Sequence, residues 1–421
     1  MEILKIFNLI IGLLFFLCYF YQLVYIPIAL FKKPAKHSDP KKHRFAVLIA
    51  ARNEEKVIGG LLDSLHRQTY DSPLTDIYVI ADNCTDTTCA TARAHGATVW
   101  ERFNRREVGK GYALNELLGH IMQEKGESAY DGYFVFDADN VLEEDYIEQM
   151  NRTFSDGYGI VTGYRNSKNY GDNWITAGYS LWFLRDSRFL NGARMKLGVS
   201  STVGGTGFLF SDEVLRECGG WNFFSLTEDV EFTAYNIMNG RKVAFCPDAV
   251  LYDEQPKKFS QSWKQRLRWA KGYINVSGKW GVTLAKRALK GDFSSFDLLM
   301  SIFPAYFLSF ISLLVNSAAI VGVILSRGNI AAMLTACLNS LASMLSLMFV
   351  IGAITAVSEW KNINAPVYKK ILYIFTFPLF MLTYIPIAFC AVFVKVSWSP
   401  IEHSITVTPA EIRASSLRRK D

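Results

Sequence analysis

Hydrophobic and polar positions fall into two regimes along this chain. Uncharged stretches run for 26 residues between Lys5 and Lys32, 29 between Asp297 and Arg327, 31 between Arg327 and Glu359, and 24 between Lys370 and Lys395. Each exceeds the ~20 apolar residues that cross a hydrocarbon core, so each predicts a transmembrane helix, at 6–31, 298–326, 328–358 and 371–394. The 265 residues from Lys32 to Phe296 contain no such run and predict one large water-facing domain.

Inside that domain the pattern changes period. Arg44 to Ala51 is a continuous apolar run that suits a strand buried on both faces. Val57, Ile58, Leu61, Leu62 and Leu65 then fall on one helical stripe starting from Glu54. Asp76–Ala81, Ala97–Phe103 and Tyr133–Phe136 read as further strands, with helices at 87–95 and 111–123 between them. Strands alternating with helices predict an α/β domain over 44–256, a mainly parallel sheet covered on both faces. From Lys257 to Lys290 ten Lys or Arg and no acid are interleaved with Phe259, Trp263, Trp269, Tyr273 and Trp280, which predicts an amphipathic helix on an anionic leaflet.

Composition sharpens the picture. Charged residues make up 20% of the 421 and aromatics 14%, so the chain is neither disordered nor a small disulfide scaffold. A net charge of +6 is too mild to point to nucleic acid. The first apolar run is long for a signal peptide, and Tyr19-Phe20-Tyr21-Gln22 is a poor cleavage site, so it reads as an anchor. Its C-terminal flank carries Lys32, Lys33, Lys36, Lys41, Lys42 and Arg44, which puts the large domain in the cytosol of a multi-pass plasma-membrane protein. Seven cysteines without a CxxC pair suggest packing rather than disulfides or zinc.

Ligands of open sheets sit beyond the carboxyl ends of the strands, and here those ends are acidic. Arg52-Asn53-Glu54-Glu55 follows the first strand, Asp82-Asn83-Cys84-Thr85-Asp86 the second, and Asp137-Ala138-Asp139-Asn140 the run YFVF. An Asp pair at i and i+2 can hold a hard divalent cation and a hydroxyl, or form an Asx turn. Gly109-Lys110-Gly111 at a helix start suits phosphate oxygens, or is a plain helix start with a solvated Lys. Val203 to Phe210 reads as a glycine-bearing strand, a ligand approach or a bulge. Leu226-Thr227-Glu228-Asp229 opens a helix for which Thr227 is the expected N-cap. Gln265, Arg268 and Trp269 share one helical face, a combination that suits a diphosphate and a stacked sugar ring.

Taken in order, DNCTD (82–86), DAD (137–139), TED (227–229) and QRLRW (265–269) resemble the signature set of the membrane-bound family 2 glycosyltransferases, the cellulose, chitin, hyaluronan and poly-N-acetylglucosamine synthases. The resemblance covers about Arg44 to Lys279. It implies a GT-A fold that uses a UDP-sugar with Mg2+ or Mn2+, as a hexosyl- or N-acetylhexosaminyltransferase. It places Asp82 at the uracil, Asp137 at the ribose, Asp139 on the metal and Lys110 near the phosphates. Asp229 becomes the general base, with Glu228 beside it. Gln265 and Arg268 steady the leaving diphosphate, and Trp269 with Gly205, Thr206 and Gly207 meets the acceptor. DNCTD departs from the family pattern at Asn83, where many relatives carry Asp or Ser.

An α-linked donor would yield a β-linked product by one in-line displacement. The expected acceptor is a growing polysaccharide; a membrane lipid is the alternative, and a non-catalytic scaffold or transporter subunit the alternative of another class. An accessory subunit or a homo-oligomer stays open. Four crossings, the favoured arrangement, put the 395–421 tail outside, against its Lys395, Arg413, Arg418, Arg419 and Lys420. Pro378 and Pro386 allow 371–394 to bend or re-enter instead.

Overall fold

The computed structural model describes residues 2–32, 39–326 and 329–415. The membrane-side entry is α1 (Glu2–Phe31). The water-facing domain runs β1 (Phe45–Ala51), α2 (Ile58–His66), β2 (Thr75–Asp82), α3 (Thr88–Ala94), β3 (Thr98–Arg102), α4 (Lys110–Lys125), β4 (Gly132–Asp137), β5 (Val141–Leu142) and α5 (Tyr146–Ser155). It continues through β6 (Ile160–Ser167), α6 (Trp174–Arg185), a π-helical turn Asp186–Asn191, α7 (Gly192–Leu197), β7 (Phe208–Ser211), α8 (Asp212–Glu217), α9 (Glu228–Met238) and β8 (Val243–Asp253). Then come α10 (Phe259–Leu289), α11 (Phe293–Ile302), α12 (Pro304–Leu325), α13 (Ile330–Ser358), α14 (Val367–Leu382), α15 (Tyr384–Phe393) and α16 (Pro409–Ser415).

One eight-stranded sheet in the order β3-β2-β1-β4-β7-β6-β8-β5 forms the spine. β1 pairs in parallel with β2 and β4, and β2 with β3, so the ends of all four strands reach one rim. The sheet is mixed, because β7 runs antiparallel between β4 and β6 and β5 runs antiparallel to β8. Every side chain of the run from Phe45 to Ile49 is buried, as a strand covered on both faces requires. One apolar layer packs Ile58, Leu61 and Leu62 of α2 under the sheet, and the other packs Leu114, Leu117 and Leu118 of α4 over it.

Two expected elements are shorter than the sequence suggested. The first helix starts at Ile58 because Asn53 turns the chain with φ +57 and Glu54 donates its N–H to Thr88 Oγ1 at 2.8 Å. The glycine-bearing strand starts only at Phe208, since Gly205 and Gly207 have φ of +84 and +65 and cannot extend a ladder.

The basic helix α10 is not a free surface helix. It packs between α9 on one side and α11 and α15 on the other, and Arg266, Ala270 and Gly272 are buried. Arg266 Nη1 donates to Thr383 Oγ1 at 2.6 Å and its guanidinium lies over the Phe380 and Tyr384 rings, so of the two arginines in QRLRW this one faces α14 and α15.

Four segments are long and apolar enough to cross a membrane: Leu4–Phe31, Phe293–Leu325, Met333–Ser358 and Val367–Phe393. Reciprocal amide bonds between Asn8 and Asn316, at 3.0 and 2.9 Å, tie α1 to α12. The buried pair Arg194–Asp297 ties α7 to α11, and Tyr21 and Tyr25 of α1 donate to the same carboxylate.

Candidate active site

The parallel strands deliver their acids to one cleft. Asp82, Asp137, Asp139, Lys110, Glu228, Asp229, Gln265, Arg268, Trp269 and Gly205 all line it. Residues far apart in the chain therefore share one cavity at the carboxyl end of the sheet, where an open α/β sheet places its ligand.

Asp82, at the end of β2, is buried and accepts from Arg102 Nη1 at 2.7 Å and from Asn83 Nδ2 at 2.8 Å. Asn83 sits at φ +53, a left-handed conformation that Asn tolerates better than most residues. Arg102 also donates to Glu116 Oε2 at 2.8 Å and is almost fully buried. Nothing in the sequence motifs pointed to Arg102, although it ends the third strand and so had to arrive at the same rim.

Asp137 pairs with Lys110, which also donates to the Gly205 carbonyl at 2.7 Å. Lys110 opens α4, and its neighbour Gly111 packs so close to the loop before α9 that a Cβ would meet the Phe223 carbonyl oxygen at 2.0 Å. Asp139 is buried and accepts the Glu254 N–H at 2.8 Å. Burial pushes its carboxyl up, but the charges of His403 and Lys168 and that N–H outweigh it and hold it below the usual range.

Glu228 and Asp229 begin α9 on the opposite wall. Burial, then the neighbouring Asp229 charge, lifts Glu228 to about 7, against the pull of Lys110 and Arg268. Burial also raises Asp229, opposed by the Val230 N–H and the same two cations. Thr227 occupies the N-cap position but makes no capping bond, so the expected cap is not formed. Its Oγ1 and Gln265 Oε1 are buried without a hydrogen-bond partner. Gln265 lines the cleft, whereas the Thr227 hydroxyl packs against α10, where a Cβ on Gly272 would meet it at 2.5 Å. Arg268 is held by the Leu226 carbonyl at 3.0 Å, and Trp269 stands edge-on to Tyr179 with ring centres 5.7 Å apart.

Of the four residues expected at the acceptor, the structure brings Trp269 and Gly205 to the cleft wall, where a Cβ on Gly205 would stand 3.7 Å from Asp229 Oδ2. Thr206 is buried behind it, accepting the Asp137 N–H at 2.8 Å and bonding Asn140, so it supports the DAD turn. Gly207 faces the core, where a Cβ would lie 1.9 Å from Leu251.

Sequence reasoning missed the C-terminal strap. Trp398, Ser399, Pro400, Ile401 and His403 line the same cleft, and the Arg52 guanidinium lies 5.2 Å from the Trp398 ring. His403 Nδ1 meets the Glu54 carboxylate at 3.0 Å, while Glu254 accepts the N–H groups of Ser404 and Ile405 at 2.9 and 2.7 Å. Burial alone would lower His403, but Asp139 and Glu54 hold it up at about 10. The strap has no period for a sequence reading to catch.

A mixed sheet with acids at one rim, an enclosed acid pair across the cleft and a membrane-side QRLRW helix define a glycosyltransferase of the GT-A class. Residues 43–272, more than half of the chain, match the family described as "Glycosyltransferase like family 2", and the chain belongs to that family. It is 28% identical over 288 residues to "Probable glycosyltransferase YdaM" of Bacillus subtilis, covering 66% of each chain. It is 27% identical over 280 residues to the beta-monoglucosyldiacylglycerol synthase of a Nostoc species, covering 62% of this chain and 56% of the relative. It is also 27% identical over 234 residues to the poly-beta-1,6-N-acetyl-D-glucosamine synthase of Staphylococcus epidermidis, covering 53% of each. The match thus spans between about half and two thirds of these relatives. A mannosyltransferase from Pyrobaculum calidifontis, solved with GDP-Man and Mn2+, shares the fold with a TM-score of 0.60, at 21% identity over 85% of this chain and 99% of its own. The chain is therefore a family 2 glycosyltransferase by sequence and of the GT-A class by fold, and it carries four segments long and apolar enough to cross a membrane.

Proposed function

We propose that the enzyme works at the cytosolic face, moving a sugar with inversion from a UDP-sugar onto a growing β-linked polysaccharide, with Asp229 as general base. The observation that carries this reading is the enclosure of Asp229 across the cleft from Asp137 and Asp139, beside the cations Lys110 and Arg268. An alcohol is a weak nucleophile and needs a positioned base, and a base is most effective when its pKa is drawn toward the working pH. The acceptor hydroxyl gives its proton to Asp229 as its oxygen bonds the anomeric carbon. The bond to the diphosphate breaks on the opposite face and the diphosphate keeps the electron pair. Lys110 and Arg268 offset the charge that develops there.

Among the described residues no three His, Cys, Asp or Glu converge into a ready-made metal cage. The charged, hard oxygens of Asp139, with Asp137 nearby, suit an ion whose other ligands come from the donor diphosphate and water. Mg2+ or Mn2+ held there would add positive charge to the diphosphate. Asp82 would read the base and Asp137 the ribose side, while Gln265 and Trp269 would meet the diphosphate and the acceptor. A second reading, transfer of one sugar to a membrane lipid, is favoured by the Nostoc relative's name.

Packing also supports a topology with three crossings. Lys369 Nζ donates to the Gly171 carbonyl, a Cβ on Gly178 would meet the Phe380 ring at 2.3 Å, and Lys271 Nζ donates to the Ala391 carbonyl at 3.0 Å. The start and middle of α14–α15 therefore touch the water-facing domain and its end touches α10, as a segment lying along them would. The strap that follows docks on the domain, so the two share a side, and an even number of crossings must separate them. With α12 leading out and α13 leading back, the tail is cytosolic, as its basic residues require.

The test is UDP release by purified full-length protein across UDP-glucose, UDP-N-acetylglucosamine, UDP-galactose and UDP-glucuronate, with product sizing. Asp229→Asn should cut turnover by about 10²–10⁴ while UDP still binds. Turnover at the parent rate would remove Asp229 from the mechanism.

A further inference from the structure

One cation in the cleft has no use in the chemistry above. Arg165, near the end of β6, lines the cleft together with Phe183, Gly204, Gly205 and Asp253. Its Nε donates to Asp253 Oδ2 at 2.6 Å, its Nη2 pairs with the same carboxylate, and its Nη1 donates to the Gly204 carbonyl at 2.7 Å. The Phe183 ring covers one face, with its centre 3.7 Å from the guanidinium carbon. Burial works against the charge, but Asp253, and more weakly Asp137 and Asp139, outweigh it and raise the guanidinium above its ordinary value.

Arg194 shows what an arginine given wholly to the fold looks like in this chain. It donates to Asp297, Asn191, Thr202 and Ser301, and its side chain is closed to water. Arg165 differs on both counts. Its three contacts leave two of the five N–H groups of a guanidinium without an acceptor among the described residues, and its side chain is 18% exposed where it lines the cleft.

The neighbouring bonds say where those two donors lie. Arg165 and Lys110 bind the carbonyls of the consecutive residues Gly204 and Gly205, so two cations fix one short stretch of the cleft wall. Lys110 also pairs with Asp137, and a Cβ on Gly205 would stand 3.7 Å from Asp229 Oδ2. The wall therefore runs from Asp137 to Asp229. In the reaction proposed above the transferred ring spans the same gap, with its anomeric carbon between the diphosphate and the acceptor oxygen.

We propose that Arg165 holds the transferred sugar, its two remaining N–H groups donating to oxygens on the edge of the donor's hexosyl ring. This assignment rests on the glycosyl-transfer reading of the same cleft and deepens it by naming what grips the ring. A guanidinium presents its donors in one rigid plane, which a lysine ammonium does not reproduce. Paired with Asp253, the arginine adds no net charge, which suits the hydroxyl or acetamido oxygens of an uncharged ring better than another phosphate.

The experiment compares UDP with UDP-glucose and UDP-N-acetylglucosamine by calorimetry, on full-length protein carrying Asp229→Asn so that the donor is not consumed. The quantity read is the ratio of UDP-sugar affinity to UDP affinity. Adding Arg165→Lys, which keeps a cation beside Asp253, should lower that ratio about tenfold, the size of one lost hydrogen bond to a charged group, with UDP affinity within twofold. A fall for both donors assigns the bond to ring hydroxyls, and a fall confined to UDP-N-acetylglucosamine assigns it to the acetamido oxygen. If Arg165→Lys no longer binds UDP, Phe183→Leu decides alone: it removes the ring that fixes the guanidinium plane and should lower the ratio about threefold. An unchanged ratio in a variant that binds UDP overturns the assignment, even where both affinities fall, because an arginine that only props the glycine loop acts through Lys110 and weakens both ligands alike. A parent protein that releases UDP from no donor is a separate result, which counts against the glycosyl-transfer reading and takes this assignment with it.

Discussion

Replacing Glu228 by Gln isolates the electrostatic load that the enclosed acid pair places on the fold. Glu228 is buried beside Asp229, and burial followed by that neighbour's charge moves its carboxyl from an ordinary 4.5 to about 7. Because the folded value is raised, the folded protein still holds a proton that the unfolded chain has released. Stability is therefore lost as pH rises from 4.5 to about 7, and the whole cost is present above that window. At 1.36 kcal/mol per pH unit the window is worth about 3 kcal/mol. Gln is uncharged throughout, so Glu228→Gln should match its parent near pH 4.5 and exceed it by up to about 3 kcal/mol at pH 8. Thermal unfolding followed by tryptophan fluorescence in detergent, from pH 4.5 to 8, should show a gap in melting temperature that opens with pH to several degrees. A gap that stays constant across the range, or a variant less stable than its parent at pH 8, would show that the side chain serves the fold through its bonds rather than burdening it with its charge.

Three further outcomes follow from the same geometry. Arg268→Gln removes a cation that lowers both Glu228 and Asp229, so the acid limb of the kcat/KM profile should move to higher pH; a limb that stays put would separate Arg268 from the base. Arg102→Met leaves Asp82 buried without its main partner and should cost about 3–5 kcal/mol, with weaker UDP binding measured by calorimetry. A cysteine placed at Ile405 should react with an impermeant maleimide in inside-out vesicles and not in intact cells, and the reverse pattern would restore four crossings.

Much of this architecture could be read before any coordinates. The uncharged runs near both ends mark membrane helices because hydrocarbon tolerates no charge, and the apolar run from Phe45 to Ile49 marks a strand covered on both faces. Acids follow the strands β1, β2 and β4 directly in the sequence, so parallel pairing alone carries Asp82, Asp137 and Asp139 to one rim. Local signals misled where a residue's neighbours come from elsewhere in the chain. Thr206 and Gly207 carry the same local pattern as Gly205, yet a Cβ at Gly207 would strike Leu251 and Thr206 bonds behind the DAD turn, so only Gly205 reaches the cleft.

What the sequence by itself determined is therefore whatever depends on period and on position relative to a strand end: the membrane runs, the parallel half of the sheet, the acidic rim and the common face of Gln265, Arg268 and Trp269. Only the tertiary structure decided that Arg102 grips Asp82, that Arg266 turns toward α14 and α15, and that the strap brings His403 to Glu54 across 349 residues. Those contacts join segments whose separation in the chain leaves no periodic trace, and they form because buried charges must find partners wherever the packed fold supplies them.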